Sequence, residues 1–325
     1  MIAPNVLAVV VLLVVVVAVA CSAQLDRIHV RTSDRQFVDE HGRVRIFHGI
    51  NDVNKASPYL SSFTADEVDR FARVWGFNLL RLGFSWEGYE PVRGQRDPGY
   101  MASLSDTVTQ LAQAGVWSIV DVHQDLYSRV YCGNGFPAWT VHVAPSVMAH
   151  APFPIPVLGR DVSYVPQEDG TISGADCGRS YWGTYYFSNV TGSMFDSFYA
   201  DHDVIQTDFV SVWADIAGAF VDRTEVFGYE IINEPFPGNI YDDPRLLLNS
   251  TTADIELLAP LYARCNDAIR AIDNDTIIVF EPLVSNSEIL PRKSGFQHGP
   301  SGPDSLYRDR EAYAFHWYPT AQQLN

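Results

Sequence analysis

Basic residues are scarce in this chain: 22 Lys and Arg stand against 39 Asp and Glu, leaving a formal charge of -17. Phosphate recognition needs clustered cations, so this balance argues against a nucleic-acid partner, and neutral or weakly charged ligands fit better. Also missing are a metal-ligand cluster, a glycine-rich loop that could cradle phosphates, and a Ser/His/Asp signature. Cysteines number only four. Apolar runs long enough for a membrane are absent with one exception, Val6 to Ala20, which is followed by the small residues Ala20 to Ala23. That pattern predicts a secretory signal peptide over residues 1–23; no Lys or Arg precedes it, so an uncleaved membrane anchor is the alternative.

What is present points to an ordered, ligand-binding globule. The chain of 325 residues is 47% hydrophobic and 19% charged, enough to bury one large core or two modest ones. Its 7 Trp, 16 Tyr and 18 Phe could stack on sugar rings or fill the core. Sequons at Asn189, Asn249 and Asn274 agree with a secretory or lysosomal lumen. With Cys21 removed in the leader, Cys132 and Cys177 share one long loop region and form the preferred bridge. Cys265 falls on an apolar helical stripe with Leu258, Leu261, Tyr262, Ile269 and Ile272, where a free buried thiol fits better than a bridge.

Strand and helix signals alternate from Ile28 onward, which predicts an α/β fold of parallel βα units over residues 24–325. A hairpin turning at HGRV, His41 to Val44, comes first. Six strands follow: Val44 to Asn51, Phe77 to Phe84, Val116 to His123, Glu225 to Asn233, Thr276 to Pro282 and Ala312 to Pro319. Helices are predicted near Asp66 to Trp75, burying Val68, Phe71, Val74 and Trp75, and over Leu104 to Ala114. Another buries Phe209, Val212, Trp213, Ile216 and Phe220, and the stripe with Cys265 forms the next. Residues 124 to about 203 show no obvious helix and read as a long functional insertion. Six strands are two short of a closed (β/α)8 barrel of the TIM type, so the chain reads as an incomplete barrel, truncated before strand seven.

Chemistry-bearing residues cluster at the strand tips. In INEPFP, Asn233 and Glu234 stand where strand four is stopped by Pro235, at the rim where such barrels place their active sites. An acid there has little else to pair with. Asp121 and His123 share a face of strand three with Asp125 beyond, His316 and Tyr318 share a face of strand six, Arg81 lies on strand two, Lys55 just beyond strand one, and Glu281 at the end of strand five. Arg81 could equally be a structural ion-pair partner, and His123 and His316 satisfied core histidines. Trp182 could stack on sugar or sit in the core. The apolar stretch from Phe136 to Leu158 could meet a lipid or membrane surface, or pack back on the barrel.

The segments GYEIINEP, DVHQD, LLRLGFSWEG and HWY, together with HQDLYSRVYCGNGFPAW, resemble glycoside hydrolase family 5, and within it the endoglycoceramidase type. The resemblance spans Ile28 to Asn325. It implies a retaining β-glycosidase acting on a glycosphingolipid or another β-glycoside, without a cofactor. Glu234 would be the general acid/base, Asn233 the contact to a sugar 2-hydroxyl, and Arg81 a neighbour of the nucleophile. His123, Asp125 and Lys55 would contact the glycan, with His316 and Tyr318 lining the same cleft. The nucleophile itself would be a second Glu on strand seven, beyond Asn325, which makes this chain inactive as it stands. Glu281 is a poor substitute, since it lies on the strand beside Glu234 rather than opposite. A non-catalytic glycan- or lipid-binding protein is the competing expectation.

Overall fold

The structure, a computed structural model, describes residues 24–144, 167–179, 181–284 and 293–317. The expected leader, residues 145–158 of the apolar stretch, and Tyr318 lie outside them. Six parallel strands run in sequence order across one sheet: β3 (Gly49–Asp52), β4 (Leu79–Phe84), β5 (Trp117–Val122), β6 (Val226–Glu230), β7 (Ile277–Phe280) and β8 (Glu311–Tyr313). They are strands one to six of the (β/α)8 barrel, with β3 and β8 as unpaired edges among the described residues. The last is shorter than the sequence pattern suggests. As an edge strand it has ladder partners only on the β7 side, and His316 lies three residues past its end.

A preceding hairpin, β1 (Ile28–Arg31) and β2 (Gln36–Asp39), seals one end of the sheet. The expected turn at HGRV is present, with the Asp39 N–H donating to Arg43 O and the Arg45 N–H to Phe37 O around the antiparallel bridge Val38–Val44, but the longer pairing of β2 is with β1. The buried carboxylate of Asp39 holds this turn, accepting from the His41 and Arg43 amides and from the Arg43 and Arg45 guanidiniums. Phe37 and Phe47 then pack on Phe227 at 5.0 and 4.9 Å, closing the barrel end opposite the INEP tip with aromatic rings.

Local signals account for most helices. In α1 (Ala65–Asp69), Thr64 and Glu67 form a capping box. Val68 is buried, but Val74 and Trp75 are exposed, contrary to the expected stripe. A π turn over Arg70–Val74 widens the helix and rotates those side chains off the buried face. Asp97 caps α2 (Pro98–Gln113), which starts before the expected Leu104 because Pro98 suits a first helical position. The long insertion does contain a helix, α3 (Asn189–Tyr199), capped by Ser188 and burying Val190, Met194, Phe195 and Phe198. Its Gly192 lowers helix propensity, yet a Cβ there would lie 2.9 Å from the Asn239 Cα, so close packing requires it. In α4 (Ile205–Phe220) the five expected core residues are all buried, and α5 (Ala259–Arg270) buries Cys265 as a free thiol. Cys132 and Cys177 form a disulfide across 45 residues, a closure that contributes about 2–4 kcal/mol. Among the described residues no helix is long and apolar enough to cross a membrane.

Candidate active site

Past the end of β6 the chain still bonds to both neighbours: Ile231 N–H donates to Val279 O (3.2 Å) and Asn233 N–H to Val122 O (3.1 Å). Glu234 then turns into the left-handed region, φ +43°. A non-glycine residue held there costs about 1–3 kcal/mol and persists only where its surroundings over-determine it. Here they do. Glu281 Oε2 accepts the Glu234 N–H at 2.9 Å, and Gln124 Nε2 donates to the carbonyls of Asn233 (2.7 Å) and Glu234 (3.0 Å). Gly135, at φ +104°, lies so close to the His123 carbonyl that a Cβ would overlap it, which keeps the loop after β5 tight against this turn.

The turn sets Glu234 on the floor of a cleft of about 900 Å³, whose walls include Lys55, Arg81, His123, Asp125, Trp182, Asn233 and His316. Contrary to expectation Glu234 has a close partner: its Oε1 meets His316 Nδ1 at 2.5 Å. His316 Nε2 in turn lies 2.9 Å from Glu281 Oε1, an ion-pair contact beneath the floor. Asn233 accepts from Arg81 Nη2 (2.8 Å) and donates to Gln124 O (2.9 Å), which leaves one N–H of its amide for a ligand. Arg81 is both things the sequence allowed. It borders the cleft, and it is the hub of a buried acid cluster, bonded to Glu230 and paired with Asp121 (3.0 Å) and Glu281 (3.6 Å).

Further along the cleft His123 bridges Asp121 (2.7 Å) and Asp125 (3.3 Å), and Asp125 is also paired with Lys55 and hydrogen-bonded to Asn134 (3.1 Å). Lys55 Nζ lies 5.8 Å from the ring centre of Trp182, which is 44% exposed and so presents a face at the mouth rather than filling the core. Asn189 and Asn274 are exposed, and Asn249 uses its side chain to cap Thr251 on the surface.

Charge follows from this packing. Burial disfavours the cation on His123 and on His316, but Asp121 holds the first up to about 9, and Glu234 and Glu281 hold the second up to about 10. Burial, then the like charge of Glu230, pushes Glu281 up to about 7. Asp125 is held well below the carboxylate range, its burial outweighed by His123 and Lys55. Both histidines therefore stabilise the fold fully below their unfolded value of 6.5 and lose that contribution as pH rises through 9 to 10. Glu281 has the same sign, stabilising most below 4.5 and less as pH passes 7. Denaturant midpoints measured from pH 5 to 10 are expected to fall steadily. His123→Asn should flatten the alkaline part; a midpoint that rises with pH would contradict these assignments.

Glu230, Glu281 and His316 bring ligand-type atoms within 4.8 Å of one another, but Arg81 already lies against both carboxylates, so the cluster is organised around a guanidinium rather than a metal ion. Glu230 and Gln124 were missed by sequence reasoning. A lone acid inside an apolar strand, facing an arginine two strands away, was the available signal for Glu230.

The model of the family Cellulase (glycosyl hydrolase family 5) matches residues 38–324. The chain belongs to glycosyl hydrolase family 5. Within this family it is 34% identical over 298 residues to an endoglycoceramidase of Cyanea nozakii, a match covering 90% of this chain and 57% of that protein. Two solved structures of endo-glycoceramidase II from Rhodococcus sp. are similar, each with a TM-score of 0.66. One, described as a lactosyl-enzyme intermediate, is 25% identical and matches 91% of this chain and 60% of its own; the other, a ganglioside GM3 complex, is 26% identical and matches 87% and 58%. The family 5 chain described here thus spans little more than half the length of the relatives it matches.

Proposed function

We propose that this chain carries the acid/base half of a retaining β-glycosidase of endoglycoceramidase type, which cleaves the glycan–ceramide linkage of glycosphingolipids. The observation that carries this reading is Glu234 on the cleft floor, bonded to His316 and flanked by Asn233 and Arg81. The likeness to endoglycoceramidases, one of them with ganglioside GM3, supports the substrate class.

In the first step the anomeric carbon bonds to the nucleophile carboxylate as its bond to the glycosidic oxygen breaks; Glu234 gives its proton to that oxygen, and the His316 imidazolium stabilises the carboxylate left behind. In the second, Glu234 takes a proton from the water that releases the sugar. Asn233 has an N–H for the sugar 2-hydroxyl, while Asp125, Lys55 and the face of Trp182 offer acceptors, a cation and a stacking surface to the outer glycan.

Retention requires a second carboxylate about 5 Å away across the anomeric carbon. Glu281 does not suit that role: it lies at the end of β7, the strand next to β6, beneath the floor, with one oxygen spent on the Glu234 amide. We assign the nucleophile to a further strand, a view supported by the open sheet and the 57% coverage of the Cyanea relative. The chain ending at Asn325 is then expected to release no ceramide from a glycosphingolipid, whereas the protein completed by two more βα units releases it. Hydrolysis by the 325-residue chain that disappears in Glu234→Gln would overturn the missing-nucleophile part of the proposal.

The leader over 1–23 and the surface position of Asn189, Asn249 and Asn274 support delivery to the secretory lumen, where a glycolipid would be met at a membrane surface. Enzymatic removal of N-glycans from protein made in eukaryotic cells is expected to lower its mass; no shift would count against that destination.

A further inference from the structure

Glu281 is almost wholly buried, faces the acid/base residue from the adjacent strand, and has no part in the chemistry set out above. Its two oxygens go to two different handles on Glu234. Oε2 accepts the backbone N–H of Glu234 at 2.9 Å, and Oε1 lies 2.9 Å from Nε2 of His316, whose Nδ1 meets the Glu234 carboxyl at 2.5 Å. A closed ring results: Glu281, the Glu234 main chain, the Glu234 side chain, His316 and back. The backbone it grips is the left-handed one, φ +43°, that turns the Glu234 carboxyl toward the cleft. Because Pro235 follows, an ordinary helical conformation is also disfavoured at Glu234, and the left-handed turn needs an external restraint.

We propose that Glu281 is a positioning residue for Glu234: a buried carboxyl that fixes the acid/base residue through its amide and through His316. This rests on the acid/base reading of Glu234, but the geometry it explains is independent of turnover. Other charged and titratable groups around Glu281 are Glu230 from β6, Arg81 from β4, Tyr262 from α5 and Tyr313 from β8. Arg81 lies 3.6 Å from the same oxygen that faces His316, so it offsets the charge of Glu281 without replacing its contact to the Glu234 amide.

The test is an NMR titration of the full chain, which needs no hydrolysis. The Glu234 amide proton is expected to shift with a midpoint near 7, the value to which burial and Glu230 push Glu281, and the His316 ring is expected to stay an imidazolium at pH 8. In Glu281→Gln the amide inflection should vanish and the His316 midpoint fall by about one pH unit or more. Should that variant unfold, Glu281→Asp keeps the charge but shortens the reach, and it too should abolish the inflection. An amide shift without an inflection in the unsubstituted chain, or a His316 midpoint unmoved by Glu281→Gln, would overturn the proposal. Failure of the glycosidase reading would instead show as hydrolysis indifferent to Glu234→Gln, with the NMR result intact.

Discussion

Glu234→Gln in the completed protein is expected to lower kcat on a glycosphingolipid roughly a hundred- to ten-thousand-fold, the usual range for losing general acid/base catalysis. Glutamine keeps the size of the side chain and can still bond to His316, so folding should be preserved and the loss confined to proton transfer. The size of the effect should depend on the leaving group. A ceramide alkoxide is a poor one and needs the proton; an activated aryl β-glycoside does not, so its first step should survive while the second, which needs a base, stalls. Azide requires no base and is expected to restore turnover of the aryl substrate as a glycosyl azide. Equal losses on both substrates, with no azide product, would indicate that Glu234 has another role.

Arg81→Ala is expected to cost about 3–5 kcal/mol of stability, read from urea denaturation of the chain, because removing one partner of a buried ion pair strands the other. Here it strands several. Asp121, Glu230 and Glu281 are all buried and all turn toward the guanidinium, and Asn233 loses the donor that orients its amide. Burial works against the charge of Arg81, but these three carboxylates hold its pKa well above the ordinary arginine value, the mark of a cation its surroundings need. Arg81→Lys supplies the charge without the planar fork and should recover only part of the loss. A loss below about 1 kcal/mol, as for an exposed pair, would show that the cluster does not depend on the guanidinium.

Much of this arrangement is legible in the sequence, and what is not has physical reasons. Alternating apolar strands and helical stripes mark six barrel units because each strand is covered on one face by helices; Phe209, Val212, Trp213, Ile216 and Phe220 are buried as their spacing requires. Strand tips place Glu234, Asn233, His123 and His316 in one cleft because a parallel sheet brings all C-terminal ends to one rim. Pattern reasoning failed where tertiary contacts decide. Gly192 conceals α3 because it serves packing against Asn239, and Val74 and Trp75 leave the core through a π turn. Glu230 and Gln124 act by holding Arg81 and the backbone carbonyls of the INEP turn: Glu230 is marked only as a lone acid in an apolar strand, and no local spacing announces the partners of Gln124.

The most direct measurement of the central claim is product analysis, by mass spectrometry, of a glycosphingolipid incubated with the completed protein. On the proposed reading Glu234 protonates the bond between glycan and aglycone, so the expected products are an intact oligosaccharide and an intact ceramide, both absent in Glu234→Gln. Stepwise loss of single terminal sugars, or unchanged products from the Glu234→Gln protein, would contradict the account.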